Sequence, residues 1–179
     1  MARNVEIKAR IESIDLISPR AAALADRGPI EIIQDDTFFA CEKGRLKLRT
    51  FSPDEGQLIF YRRADQQGPK ESFYLIAPTT SPGILRETLS LAYGQVGRVR
   101  KNRTLFLAGR TRIHLDRVEG LGNFLELEVV LEEGEQIETG EAIARDLMQK
   151  LQILPDRLIE GAYIDLLVVA GCSPSDLDV

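Results

Sequence analysis

The chain has little of the residue types that build metal–thiolate sites and disulfide frameworks. Its 179 residues include two cysteines, one histidine and no tryptophan. Cys41 and Cys172 form no Cys-x-x-Cys pair, and His114 is the single imidazole. A structural zinc site or a disulfide network is therefore not expected, and a reducing compartment is the default for such a chain.

Long apolar runs are also missing. No stretch of roughly 18 apolar residues could cross a membrane, and the first residues carry no apolar run of signal-peptide length. The net charge of −5 argues against a general nucleic-acid binder, which would be basic over the whole domain. We therefore expect a soluble cytoplasmic protein without a nucleic-acid or membrane partner.

The length of the chain favours one domain, because 179 residues can bury a core without disulfides or metals. The sequence contains no internal repeat and no linker that would divide it. Residues 172–179 are mostly polar. We expect a single domain over residues 1–171, followed by a polar C-terminal tail over residues 172–179.

Three short segments alternate between aliphatic and charged residues: 4–10, 45–49 and 124–129. Successive side chains on a β-strand point to opposite faces, so each segment would carry aliphatic groups on one face and charges on the other. Together with similar stretches and the turn residues between them, they predict eight short strands. These lie near residues 4–12, 30–40, 44–51, 57–64, 71–77, 96–107, 111–116 and 123–131.

Three helices are predicted between the strands. Ser18-Pro19 and Ser81-Pro82 each offer an N-cap followed by proline at the first helical position, and Thr139 precedes a third periodic stretch. Gly28 and Gly94 are expected to end the first two helices. The fold class is thus α+β.

The alternating strands allow two interpretations. In an ordinary sheet the aliphatic face meets the core and the charged face meets water. Alternatively, the strands close into an eight-stranded antiparallel barrel of inverted polarity, with charges around a hydrated lumen and helices packed outside. The second interpretation predicts that Ile7, Leu48, Leu127 and Val129 point outward beneath helices.

Strand positions of compatible parity collect many bases and several acids. Arg and Lys would surround an anionic phosphate chain, and two carboxylates at i and i+2, Glu126 and Glu128, would share a hard divalent cation. A solvated strand face is the other interpretation of that pair. The cations are Lys8, Arg10, Lys47, Arg49, Arg63, Lys101, Arg103 and Arg112, and the carboxylates are Glu6, Asp116, Glu126 and Glu128.

Three segments have a recognisable pattern: Glu-Ile-Lys-Ala-Arg at 6–10, the run 111–128 that contains His-Leu-Asp-Arg-Val-Glu-Gly-Leu-Gly, and Tyr-Ile-Asp-Leu-Leu at 163–167. In these segments the sequence resembles the CYTH superfamily, which joins class IV adenylyl cyclases with thiamine triphosphatases and inorganic triphosphatases. The residues of the long run are more similar to the cyclase-like branch than to the other branches. The resemblance implies a triphosphate tunnel that works with Mg²⁺ or Mn²⁺.

By position, the resemblance implies a role for each charged group. Glu6, Glu126 and Glu128 match metal-binding carboxylates, the bases given above match phosphate-binding groups, and Lys8, Arg63 and Asp116 are expected to be catalytic. Asn4 departs from the family pattern, because the first glutamate of its N-terminal signature is replaced by a neutral amide, which puts a second metal site in question. His114 is expected to orient a ligand or support the structure rather than act as a general base.

Three functions follow from these residues and remain open. A cyclase would convert ATP to cyclic AMP and pyrophosphate, a hydrolase would release orthophosphate from thiamine triphosphate or inorganic triphosphate, and a binding module would hold a triphosphate or polyphosphate without turnover. The partner is in every case a small triphosphate molecule. A monomer or a homodimer is expected.

Overall fold

A computed structural model describes residues 2–63 and 68–171. The predicted tail, with Cys172, lies outside the described residues. Eight antiparallel strands close into a barrel in the order β1-β5-β4-β3-β2-β6-β7-β8, which confirms the predicted fold class. The strands are β1 Ala2–Arg10, β2 Arg27–Phe39, β3 Arg45–Ser52, β4 Glu55–Arg63, β5 Lys70–Thr79, β6 Gln95–Ala108, β7 Thr111–Val118 and β8 Gly122–Val130.

The barrel has its aliphatic face outside and its charged face inside. Ile7, Leu127 and Val129 are fully buried in an outer core beneath helices, and Leu48 is buried in a second cluster with Leu89. Because strand side chains alternate, their neighbours Glu6, Lys8 and Glu126 point into the lumen. The prediction of inverted polarity is confirmed.

The first helix, α1, spans Ile14–Leu24 and begins earlier than predicted. Ser13 is its N-cap and accepts a hydrogen bond from the Asp15 amide, so Ser18-Pro19 does not start the helix and Pro19 lies inside it. The prediction that Gly28 ends the helix is also wrong. Gly28 lies in β2, where a Cβ would come within 2.7 Å of the Leu105 carbonyl oxygen, so glycine is needed there for close strand packing.

The second helix, α2, spans Pro82–Tyr93, with Ser81 as N-cap and Gly94 as C-cap, as predicted. The third, α3, spans Ile137–Leu151 and begins before Thr139. Its buried face packs with α1 over the outside of β1, β7 and β8. The apolar side chains of these strands are thereby removed from water, which is the main stabilising contribution of a core.

A fourth helix, α4, spans Tyr163–Val169 and was not predicted. Its seven residues are too few for a clear helical period. Tyr163, Ile164 and Leu167 pack with Phe38 and Phe124 at one end of the barrel. No helix of the described part of the chain is long and apolar enough to cross a membrane.

Candidate active site

The lumen contains a cavity of about 320 Å³ to which all the strands contribute. This volume is in the range of small-molecule sites. All the predicted phosphate-binding bases except Arg10 line it: Lys8, Lys47, Arg49, Arg63, Lys101, Arg103 and Arg112. A barrel therefore brings together bases that are up to about a hundred positions apart in sequence.

Arg10 lies outside this cavity. It is exposed, donates a hydrogen bond from Nη1 to the Leu121 carbonyl oxygen at 2.8 Å, and stacks over the Phe124 ring. The cause is its position at the last residue of β1, beyond the part of the strand that faces the cavity. These two contacts stabilise the turn that precedes β8.

Asp36 organises two of the bases and was missed as a site residue. Its carboxylate accepts hydrogen bonds from Lys47 Nζ at 2.7 Å and from Arg49 Nε and Nη2 at 2.8 Å. Burial disfavours the charged carboxylate, but Arg49 and Lys47 outweigh burial and hold the pKa of Asp36 well below its usual value. Residues 35–39, Asp-Asp-Thr-Phe-Phe, also resemble a segment of the CYTH superfamily. That resemblance was the signal in the sequence that could have identified Asp36.

Asp116 organises the other pair of bases. It is fully buried and accepts two hydrogen bonds from Arg103 at 2.7 Å, one from Lys101 at 3.2 Å and one from the Tyr163 hydroxyl at 2.9 Å. Burial opposes its ionisation, yet Arg103 and Lys101 hold its pKa below the usual value. Asp116 does not line the cavity, so its place is behind the bases.

The carboxylates Glu126 and Glu128 meet His114 on neighbouring strands. One ligand atom from each of the three lies within 4.8 Å of the others, and His114 Nδ1 is 3.8 Å from Glu126 and 3.7 Å from Glu128. Burial and Arg103 lower the pKa of His114, which favours the uncharged form of the ring near pH 7. A neutral imidazole has a free lone pair that can serve as a ligand.

The donor set fits a divalent cation. His114 Nδ1 is buried and has no hydrogen-bond partner among the described residues, and two carboxylates supply the hard oxygens that Mg²⁺ and Mn²⁺ prefer. Lys8 is 3.3 Å and Arg103 2.6 Å from Glu126, and Arg112 is 3.0 Å from Glu128. These bases balance the negative charge of the carboxylates.

Glu6, the third predicted metal ligand, is not one of the three residues of this cluster. It is buried in the lumen directly across from Glu128 in the strand ladder, but its carboxylate accepts a hydrogen bond from Arg63 Nη1. The cation cluster comprises His114, Glu126 and Glu128. Of the three predicted metal ligands, Glu126 and Glu128 thus share the cluster with His114, whereas Glu6 has a guanidinium as its partner.

Residues at the start of α4 and just before it contact the lumen at the end next to that helix. The Gly161 carbonyl oxygen accepts hydrogen bonds from Lys8 Nζ at 3.4 Å and Arg63 Nη2 at 2.6 Å. The Tyr163 ring lies under two ammonium groups, 4.1 Å from Lys8 and 4.9 Å from Lys101. Tyr163 is therefore a packing residue with a hydrogen-bonded hydroxyl, and Arg45 anchors the helix through Asp165 at 2.8 Å.

Two lysines in the lumen are easily deprotonated. Burial and the neighbouring Arg49 lower the pKa of Lys47 to about 8, although Asp36 opposes the shift. Burial and Arg103 lower the pKa of Lys101 to about 7, against the pull of Asp116. An anion placed beside either ammonium would favour its charged form.

Comparison with known proteins identifies relatives over most of the chain. The family model described as the CYTH domain matches residues 2–163. Adenylate cyclase CyaB of Aeromonas hydrophila is 29% identical over 166 residues, which cover 86% of this chain and 79% of that protein.

Solved structures share the fold. A protein of Pyrococcus horikoshii superposes with a TM-score of 0.80 at 23% identity, covering 91% of this chain and 98% of its own. A candidate adenylyl cyclase of Hippeastrum, described as having a dominant triphosphatase activity, superposes with a TM-score of 0.65 at 17% identity and covers 94% of this chain and 96% of its own.

Proposed function

Because the chain belongs to the CYTH domain family, we propose that it is a metal-dependent enzyme that binds a triphosphate in its barrel, with cyclisation of ATP to cyclic AMP and pyrophosphate as the reaction. The observation that carries the proposal is the convergence of bases from several strands on one cavity beside a carboxylate pair. Orthophosphate would need only a few of those bases, whereas a triphosphate is long enough to contact many.

The bases divide into two kinds. Lys47 and Arg49 are held by Asp36, and Lys101 and Arg103 by Asp116, so both pairs are fixed before a ligand arrives. Fixed charges in a site shielded from water stabilise a transferring phosphoryl or nucleotidyl group without reorganisation. Asp116 acts through its partners and is best described as a positioning residue.

Lys8 and Arg63 form the other kind. Each contacts a carboxylate of the lumen and the Gly161 carbonyl oxygen, so both link the lumen carboxylates to the segment before α4. We assign them to the charge that develops on the leaving pyrophosphate. A bound Mg²⁺ or Mn²⁺ at Glu126 and Glu128, with His114 available as a further ligand, would supply additional positive charge next to the phosphate oxygens.

The choice of cyclisation rests on the resemblance of residues 111–128 to the cyclase-like branch and on the similarity to the Aeromonas cyclase. In cyclisation the ribose 3′-hydroxyl gives up its proton to water, its oxygen bonds to the α-phosphorus, and the bond from that phosphorus to pyrophosphate breaks. In hydrolysis, water attacks the terminal phosphorus. The fold does not decide between them, since the Hippeastrum protein of the same fold has a dominant triphosphatase activity.

Product identification tests the proposal. Purified protein is incubated with ATP, thiamine triphosphate or inorganic triphosphate, in Mg²⁺ and separately in Mn²⁺. We expect cyclic AMP and pyrophosphate in equal amounts from ATP. Release of orthophosphate without cyclic AMP would replace the cyclase by a hydrolase, and intact ligand in every mixture would leave a binding module.

A further inference from the structure

The single imidazole of the chain lies inside the barrel. His114 is the only histidine of the sequence, it is 4% exposed, and it lines the cavity. On β7 it lies directly opposite Glu126 of β8, and Glu128 follows two residues further along the same face of β8. The strand register therefore places one imidazole against two carboxylates.

One nitrogen of this imidazole lacks a partner. Nδ1 of His114 is buried and makes no hydrogen bond within the part of the chain that the structure describes. The carboxylate oxygens of Glu126 and Glu128 are 3.8 and 3.7 Å from it, whereas N–H···O hydrogen bonds extend to about 3.2 Å. A buried polar atom without a partner is costly, and a metal ion would satisfy a lone pair at this nitrogen.

The separations of the three side chains suit one shared ion. Two ligand atoms that are each about 2.1 Å from the same ion lie about 3.0 Å apart at right angles and about 4.2 Å apart on opposite sides of it. Both distances from Nδ1 to the carboxylates fall between these limits. Small adjustments of the side chains would therefore complete a site of one nitrogen and two oxygens.

A nitrogen ligand changes which cation the site prefers. Mg²⁺ takes oxygen ligands, whereas imidazole favours first-row transition metals. Zn²⁺ and Cu²⁺ prefer tetrahedral or square-planar sites that are richer in nitrogen or sulfur. Two carboxylates and the oxygens of a triphosphate make the remaining ligands hard, so Mn²⁺ is the cation that suits this mixture.

Building on the proposed function, we propose that His114 coordinates the divalent cation through Nδ1, together with Glu126 and Glu128, and that this nitrogen makes the site selective for Mn²⁺ over Mg²⁺. His114 is then the residue that determines cation specificity. Its role differs from that of Lys8 and Arg103, which balance the charge of Glu126 and have no lone pair to offer when they are protonated.

Because the chain has one histidine, isotope labelling identifies the ligand directly. Protein without a histidine tag is prepared with ¹⁴N throughout and separately with ¹⁵N in histidine alone. Each sample is loaded with Mn²⁺, without and with inorganic triphosphate, which contains no nitrogen. Pulsed EPR should show a directly bound ¹⁴N that becomes ¹⁵N in the labelled protein, and bound Mn²⁺ without that histidine signal would overturn the assignment.

His114→Gln tests the selectivity, because the amide offers an oxygen in place of the imidazole nitrogen. The Mn²⁺ affinity, measured by EPR of the free ion, should fall by roughly tenfold or more, since even indirect support of a metal is worth that much. The Mg²⁺ affinity, measured by competition with Mn²⁺, should fall less. Gln57→Ala is the control: Gln57 lines the cavity from β4, which adjoins neither β7 nor β8, and it should change neither affinity. A thermal melt checks the fold of both variants.

The outcomes separate this inference from the proposed function. If His114→Gln weakens both cations equally, or if Mg²⁺ binds the unaltered protein as tightly as Mn²⁺, the selectivity by His114 is wrong while the triphosphate tunnel stands. If the histidine signal appears but no triphosphate binds or reacts, the proposed function fails while the cation ligand stands. If Mn²⁺ binds neither alone nor with triphosphate, both fail.

Discussion

Each carboxylate inside the barrel has its own set of neighbours, and those neighbours determine what it can bind. Asp36 and Asp116 are each enclosed by two basic side chains at hydrogen-bond distance. Glu126 and Glu128 instead face His114, whose Nδ1 has no hydrogen-bond partner among the described residues. Their grouping with this nitrogen makes Glu126 and Glu128 the candidate cation ligands.

Glu128→Gln tests the cation site. The amide keeps the size of the side chain but removes its charge, and we expect metal-dependent turnover to fall by roughly tenfold or more, since even indirect support of a metal is worth that much. Glu132→Gln is the control, because the Glu132 side chain is 83% exposed and follows β8 outside the lumen. Steady-state rates across a Mg²⁺ titration measure both; identical metal dependence in the two variants would refute the assignment.

The lowered pKa of Lys47 predicts proton uptake on binding. Below its pKa of about 8 the ammonium is charged, and above it the amine is neutral. A bound anion raises that pKa, so triphosphate binding at about pH 8.5 should take up a proton, and affinity should weaken as the pH rises through 8. Calorimetry in two buffers of different ionisation enthalpy measures the uptake.

Lys47→Arg is the matched variant for this measurement, because arginine keeps the charge but does not titrate in this range. The share of proton uptake due to Lys47 should disappear, and the share due to Lys101, whose pKa is lowered to about 7, should remain. Equal uptake in the two proteins would contradict a titrating Lys47.

The strands and helices differ in how much of them the sequence predicts. Strict alternation in residues 4–10 and 124–129 has a period of two, and it predicts both the strands and their charged faces. The beginning of α1 was mistaken because Ser18-Pro19 has the composition of a helix start, whereas the Ser13 cap is seen only from its hydrogen bond to Asp15. The short helix α4 offered no periodic signal, since tertiary packing on Phe124 stabilises it.

For the candidate site, too, the sequence predicted some residues and missed others. Bases on alternating strands could be assigned to the lumen by parity, and the structure brings all but Arg10 to the cavity. Asp36 was missed as their anchor because its role depends on the register of β2 with β3, which pairs it with Arg49. Register is fixed by packing of whole strands and cannot be deduced from one segment.

The contact between α3 and the barrel gives a prediction at the level of the element. A Cβ on Gly140 would lie 2.7 Å from side-chain atoms of Leu131 and Val5. Gly140→Ala should therefore destabilise the protein by about 1–3 kcal/mol through overpacking, although alanine favours helix formation by about 1 kcal/mol. The midpoint of urea denaturation measures the change.

Gly83 of α2 is the control for that substitution, since a Cβ there would have no atom within 4 Å. Gly83→Ala should leave stability unchanged or raise it by up to about 1 kcal/mol. If Gly140→Ala raised stability as much as Gly83→Ala does, the close packing of α3 on β1 would be wrong.

At the scale of the whole molecule, closure of the barrel has two consequences. It leaves no open strand edge among the eight strands described, and it encloses a charged lumen in which ion pairs are shielded from water and therefore strong. Residues at the start of α4 and just before it contact the lumen at one of its ends.

The central claim is that the lumen recognises a chain of three phosphates rather than any anion. Calorimetry with AMP, ADP and ATP in the same metal and buffer tests it most directly, because the three ligands share the same nucleoside and differ only in the number of phosphates. Each added phosphate should gain new contacts with fixed bases, and affinity should rise by roughly tenfold per phosphate, as charge-assisted hydrogen bonds predict. Equal affinity for AMP and ATP would contradict the triphosphate tunnel.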